Sequence, residues 1–342
     1  MPYYNKNIFS KPLRDDDLEH DNNEKPRDWI IVLAPEELPG MFKPNNDPNP
    51  CNLTYLRISP KGKILEKLSF NSPSNGWKIN AAYEHNGSVY LYGPAVTNDP
   101  SSKYYQEVAG QKEHKGHKSN KGLGFTNYQL AKITKGKLDF ISSPSISDLQ
   151  AKQVKPKDQK NFVEFTGEDF STNGITVATT GDVFITCQNK EISRGKPTMY
   201  GGVSMFHFDP TGNLKRNYGV FNKENEESVG STSSYIYPSG DGKSLYWLMR
   251  VPKVDFHLAH NEGEDATTEG NFYRTEDAMD YGSINIEKGE LSEFKTVGEG
   301  NKKPFYLYDY GRSIRKMGNY IYLFSKQYKG DKILLTRLNL SK

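Results

Sequence analysis

Four stretches decide the fold: TYLRISPKGKILEKLSF (Thr54–Phe70), YQLAKITKGKLDFI (Tyr128–Ile141), SMFHFDPTGNLKRNYGV (Ser204–Val220) and SINIEKGELSEFKTV (Ser283–Val297). Each alternates apolar and polar residues, turns at a glycine (Gly62, Gly136, Gly212 or Gly289) and alternates again. Period-two alternation across a glycine turn is the pattern of a β-hairpin, because successive strand side chains face opposite ways. The four glycines are 74, 76 and 77 residues apart, so the hairpins recur at a near-constant interval. A repeat of that length makes the supersecondary unit the first thing to define.

A second hairpin set interleaves with the first: Ala81–Gly93, Val177–Cys187, Tyr235–Met249 and Arg312–Ser325. Each places a glycine (Gly87, Gly181, Gly242, Gly318) just before a strand rich in Tyr, Phe, Val and Ile. Those strands read as nearly continuous apolar runs, which suits burial on both faces. One repeat is therefore two hairpins, or four antiparallel strands called a to d. Trp29–Ala34, Leu53–Ser59 and Ile64–Phe70 supply b, c and d of a first unit without a recognisable strand a. Arg312–Met317, Tyr320–Ser325 and Lys332–Asn339 supply a, b and c of a last one.

Tandem four-stranded antiparallel units predict an all-β chain, a β-propeller of about five blades with its ring closed between the N- and C-terminal partial units. Residues 28–342 form that domain, and residues 1–27, polar and carrying Asp15, Asp16 and Asp17, read as an arm or linker. A β-sandwich of similar hairpins is the competing architecture, and a piece of a longer protein with further blades is a second alternative. The recurring G-x-[VIL]-[YF]-[LI] strand and [LIF]-x-x-x-G-x-[LI] hairpin resemble the degenerate repeats of bacterial secreted and cell-envelope propellers. The resemblance implies architecture and no particular family.

Composition narrows the function classes. The 342 residues are 12% aromatic, which argues for a folded chain, and carry a formal charge of +3, which argues against a dedicated nucleic-acid binder. The longest apolar run, Trp29–Ala34, is too short to cross a bilayer. Two cysteines, Cys51 and Cys187, exclude a disulfide scaffold and a thiolate zinc cluster. The start, MPYYNKNIFS, has no apolar stretch of a signal peptide. The expectation is therefore an extracytoplasmic protein if a signal has been removed, and a cytoplasmic one if the sequence is complete as given.

The long insertions are all b–c connections (Pro35–Asn52, Pro94–Asn127, Pro252–Asp280) or d–a connections (Ser142–Asn173, Phe221–Ser234). In an antiparallel meander these connections share one end of the strands. Long loops gathered on a rigid scaffold are where binding concentrates. Pro94–Thr126 carries five lysines against three acids, whereas Pro252–Asp280 carries eight acids against Lys253 and Arg274.

This face supplies the candidate binding residues Trp77, Tyr104, Tyr105, Phe256, Phe272, Tyr273, Arg274 and Tyr308, and its expected partner is a protein or a glycan. Catalytic residues are not assigned, and an enzyme is the less favoured reading. Its form would be a glycoside hydrolase, as some five-bladed propellers are, with Asp169, Glu226 (beside Glu227) and Asp309 as channel acids. His257 and His260 form a weak metal-like pair, whose H-x-x-H spacing chelates well mainly on a helix. No cofactor is expected. Asp209 and Asp241 sit in glycine-containing segments that fit turns better than calcium loops.

Overall fold

The computed structural model describes residues 7–12, 28–33, 51–74, 76–96, 126–156, 165, 167, 170–191, 199–220, 233–254, 275–298, 305–307, 314–327 and 331–341. They form five antiparallel sheets in chain order. The first has the order β1 (Asn7–Pro12), β2 (Trp29–Leu33), β3 (Cys51–Ile58), β4 (Ile64–Ser72). The second contains β5 (Gly76–Trp77), β6 (Ala81–His85), β7 (Ser88–Val96), β8 (Asn127–Thr134) and β9 (Lys137–Ser142), with β5 and β6 both paired to β7. A short helix α1 (Ile146–Ala151) and the two-residue β10 (Gln153–Val154) precede the third sheet. That sheet is β11 (Phe170–Val177), β12 (Val183–Glu191), β13 (Met199–Phe208) and β14 (Leu214–Val220), with β10 added in parallel to β14.

The fourth sheet is β15 (Ser233–Pro238), β16 (Ser244–Val254) and β17 (Thr275–Asn285), with β18 (Glu290–Leu291) and β19 (Lys295–Thr296) both on β17. The fifth has β20 (Phe305–Leu307) and β21 (Ile314–Met317) on one side of β22 (Tyr320–Gln327) and β23 (Ile333–Asn339) on the other. The described residues group into two compact units. One draws on Met1–Lys152, Phe165–Ile175 and His207–Lys215, and the other on the rest of the chain.

All eight turn glycines expected from the repeats have positive φ, from +57° at Gly318 to +91° at Gly212. An L side chain is disfavoured there by contact between its Cβ and the carbonyl, so the glycines follow from the turns. The apolar alternation then buries neighbouring sheets against one another inside each unit. In the first unit, Ile30, Val32, Leu53, Tyr55 and Phe70 of the first sheet meet Trp77, Ile79, Val89, Leu91 and Ile133 of the second. In the second unit, Phe184, Met205 and Tyr218 meet Leu245, Trp247 and Ile284, with Phe294 edge-on to Trp247. A separate cluster joins Leu248 and Met279 to Ile321 and Leu323.

Two expectations are corrected. The first unit does have a strand in position a: β1 comes from the polar arm and pairs with β2 from Asn7↔Leu33 to Pro12↔Trp29. Its sequence, NIFSKP, lacks alternation, and it is a strand because WIIVL offers it a ladder. The connection taken as Pro252–Asp280 is shorter, since β16 and β17 stay paired out to Val254↔Thr275. From Val251 onward β16 lies beyond the reach of β15, whose last pair is Ser233↔Arg250. A strand with a vacant side tolerates a residue without an N–H, here Pro252. One short helix, α1, also interrupts the strands. Its Ser145 hydroxyl accepts from the Asp148 N–H while the Asp148 carboxylate accepts from the Ser145 N–H, a reciprocal cap.

Candidate functional site

In the second, fourth and fifth sheets the turns gather at one end. Ser88 pairs with Thr134, setting turn 86–87 beside turn 135–136, and their hydroxyls are 2.8 Å apart. Ser244↔Asn285 and Tyr320↔Asn339 do the same in the fourth and fifth sheets. The turn acids are consumed locally. One Asp209 carboxylate oxygen accepts from the Thr211 N–H and the Asn213 N–H, each at 2.9 Å, and from the Thr211 hydroxyl at 2.7 Å. Slight burial raises the Asp209 pKa, but those hydrogen bonds outweigh it and hold the group below its ordinary value. Asp241 is likewise lowered, chiefly by the Ser239 hydroxyl. Both acids are turn locks.

The opposite end of the second and fourth sheets carries long connections. At the second sheet it opens at Ala95↔Asn127 and at the fourth at Val254↔Thr275. The described residues at the root of the 97–125 connection make a polar platform. Asn80 donates to the Thr172 hydroxyl at 2.9 Å, and the buried Tyr128 hydroxyl lies 2.9 Å from the same oxygen. Behind it, the fully buried Gln129 donates to Ser72 at 3.1 Å and accepts from Ser143 at 3.3 Å. Asn127 donates to the Ser143 carbonyl at 3.0 Å and accepts from Thr126 at 2.7 Å. These are amides and hydroxyls that bond to one another, with Thr126, Tyr128 and Gln129 buried, so they brace the root of the connection; none of them is an acid–base pair. Sequence reasoning did not single out Asn80, Tyr128 or Thr172, since their contacts span 92 and 44 residues.

In the second unit the corresponding end holds Asp280, nearly buried, accepting from Thr296 at 2.6 Å. It had been counted among the acids of a solvated loop and is a bonded strand residue. Without the strand residues, 255–274 keeps five acids (Asp255, Glu262, Glu264, Asp265, Glu269) against Arg274.

Of the candidate binding residues, only Trp77 is placed with its side chain, and it is not surface. It is 3% exposed and packs in the core between the first two sheets, where burying a large ring is worth more than presenting it. Its indole N–H has no hydrogen-bond partner. Tyr104, Tyr105, Phe256, Phe272, Tyr273, Arg274 and Tyr308 lie outside the described residues, as do Asp169, Glu226, Glu227, Asp309, His257 and His260. Among the described residues no group of three or more His, Cys, Asp or Glu stands close enough to hold a metal, and no helix is long and apolar enough to cross a membrane.

Five sheets in tandem, each a meander like a propeller blade, with cores between consecutive sheets inside each unit, define the class: a β-propeller-like protein. No family model and no curated protein matches the chain. Among solved structures it is similar to lignostilbene dioxygenase from Pseudomonas brassicacearum, at 10% identity and a TM-score of 0.35 over 92% of this chain. The chain spans 58% of that enzyme's length. It is also similar to a DUF4221-family member from Bacteroides vulgatus (10% identity, TM-score 0.35, 98% of this chain and 94% of that one). A third is the propeller domain of the trilobed protease from Pyrococcus furiosus (10%, 0.31, 92% and 67%). Likenesses this slight carry no argument about function, and the class rests on the chain's own sheets.

Proposed function

We propose that the chain is a non-catalytic binding module that docks a protein or a glycan at the ends of its sheets where the long b–c and d–a connections emerge. One observation carries the reading. The described turns at the other end are closed by glycines in the left-handed region, whereas the long connections 97–125 and 255–274 leave from this end, although the N-terminal link between Pro12 and Trp29 joins its strands at the turn end. A scaffold that spends its variable length on one end offers that end to a partner.

The test compares the intact chain with a variant in which 255–274 is replaced by a short Gly-Ser linker and a control carrying substitutions at Lys61 and Lys135 on the turns. Each is used to capture ligands from cell-envelope extract and on a glycan array. A ligand held by the intact chain and the turn control but lost by the linker variant supports the proposal. Hydrolysis of any glycan by the intact chain would replace it with the carbohydrate-active reading.

A further inference from the structure

Two hairpin turns of the first unit carry the same three residues, Lys61-Gly62-Lys63 at the turn from β3 to β4 and Lys135-Gly136-Lys137 at the turn from β8 to β9. Both are tightly closed: the Gly62 N–H donates to the Ser59 carbonyl at 2.9 Å, and Lys135 and Gly136 have φ of +50° and +69°. The two turns are neighbours. The position a Cβ would take at Gly136 is 3.5 Å from the Cβ of Glu66, which follows Lys63 on β4. All four lysines are exposed, and none of them is in an ion pair among the described residues.

The acids beside these turns are already engaged. Arg57 takes Asp28, Glu84 and Glu66 at 2.6, 3.1 and 3.9 Å, and the Tyr55 hydroxyl donates to Glu66 at 3.2 Å. Asp139 accepts from the Thr134 hydroxyl at 2.6 Å and lies 3.5 Å from the Lys132 ammonium. Next to the first turn stands an apolar rim. Trp29, Ile58 and Ile64 are aligned across β2, β3 and β4. Alternation sets them on the face opposite to the core residues Ile30, Val32, Leu53 and Tyr55. Trp29 is 44% exposed, Ile64 54% and Leu65 47%, in the presence of the whole chain. Large apolar side chains exposed together beside cations mark a surface for a partner that is anionic outside and apolar beneath.

We propose that this turn end of the first unit docks on an anionic lipid bilayer, with Trp29, Ile64 and Leu65 at the level of the headgroups and the four turn lysines over their phosphates. An indole suits that level, because its ring is apolar while its N–H finds water or phosphate. Each lysine near an anionic leaflet raises partitioning about fivefold. The apolar rim selects a bilayer over a dissolved polyanion, since an acidic polymer in water meets the lysines but leaves Trp29, Ile64 and Leu65 uncovered. Hairpin turns closed by their own hydrogen bonds keep their shape on docking, so little ordering opposes it. In the second sheet the 97–125 connection leaves from the opposite end, so a bilayer at the turns keeps that connection free for the partner proposed above.

The test is flotation of the full chain with phosphatidylcholine vesicles holding about 30% phosphatidylglycerol, beside vesicles of phosphatidylcholine alone, at about 50 mM salt. The wild type is expected to float with the anionic vesicles only and to be released at about 500 mM salt. Lys61→Gln/Lys135→Gln should lower partitioning about 30-fold, and Ile64→Ser/Leu65→Ser about tenfold. Trp29 is the reporter of depth, because the other two tryptophans, Trp77 and Trp247, are 3% and 0% exposed. Bromine-labelled lipid chains should therefore quench the wild type and leave Trp29→Phe unquenched. Circular dichroism melts confirm that these exposed substitutions keep the fold. A wild type that does not float, double variants that float as well as wild type, or flotation without quenching of Trp29 would each overturn the proposal. Binding to a soluble sulfated glycan without flotation would overturn it too, and would give the lysines to a dissolved polyanion instead.

Discussion

Gly93 is the residue where one methyl group should do most damage. A Cβ built there would stand 1.9 Å from the Lys78 carbonyl oxygen and 3.0 Å from the Asn80 nitrogen, both main chain and unable to rotate away. The segment 78–80 must therefore retreat by more than about 1 Å to restore van der Waals distance. It is held by two hydrogen bonds that flank the glycine, Lys78 N–H to the Pro94 carbonyl and Asn80 N–H to the Tyr92 carbonyl, each 2.9 Å. Losing both removes about 2 kcal/mol. Retreat also loosens the buried Trp77 and Ile79, for a further 1–2 kcal/mol or so. Gly93→Ala should thus destabilise the first unit by about 3–4 kcal/mol. Gly87→Ala in the same hairpin is the control: its φ is +74° but nothing lies within 4 Å of the added methyl, so the conformational penalty alone applies, about 1 kcal/mol. Urea titrations followed by tryptophan fluorescence measure both, with Trp77 as a reporter next to the perturbation. If Gly93→Ala costs no more than Gly87→Ala, the close approach of the two chains is not the reason for the glycine.

Two further outcomes follow from the buried polar groups. Arg57 is bound to Asp28 at 2.6 Å and to Glu84 at 3.1 Å, and lies 3.9 Å from Glu66, with its side chain 17% exposed. Arg57→Ala leaves three neighbouring carboxylates without their cation and should destabilise the chain by about 2 kcal/mol, whereas Glu84→Gln, which keeps an acceptor, should cost less than half of that; both are read from urea midpoints. Cys187 is fully buried and its thiol pKa is pushed well up by that burial, so in a Cys51→Ser background the native chain should resist an aromatic disulfide reagent and react stoichiometrically once unfolded in urea.

The turns were legible in the sequence because a left-handed turn residue is a local demand that glycine alone meets without strain. The α1 cap was equally local, Ser145 and Asp148 three residues apart, yet a six-residue helix with only Ile146 and Leu149 buried leaves too short a period to stand out. Strand β1 was not legible at all, since NIFSKP is extended only by virtue of its neighbour. Pro94 and Pro252 disguised the strand ends that contain them, because a proline is read as a break when its strand partners are unknown. Trp77 was recognised as a large aromatic, but whether a side chain at a strand end faces core or solvent depends on the sheet packed against it.

What the sequence determined by itself is the repeat and its hairpins, both consequences of period-two alternation and of φ at single residues. What only the tertiary structure decided is which distant groups meet. Asn80 and Tyr128 converge on Thr172, and Arg57 collects Asp28 and Glu84, across separations that no local pattern encodes.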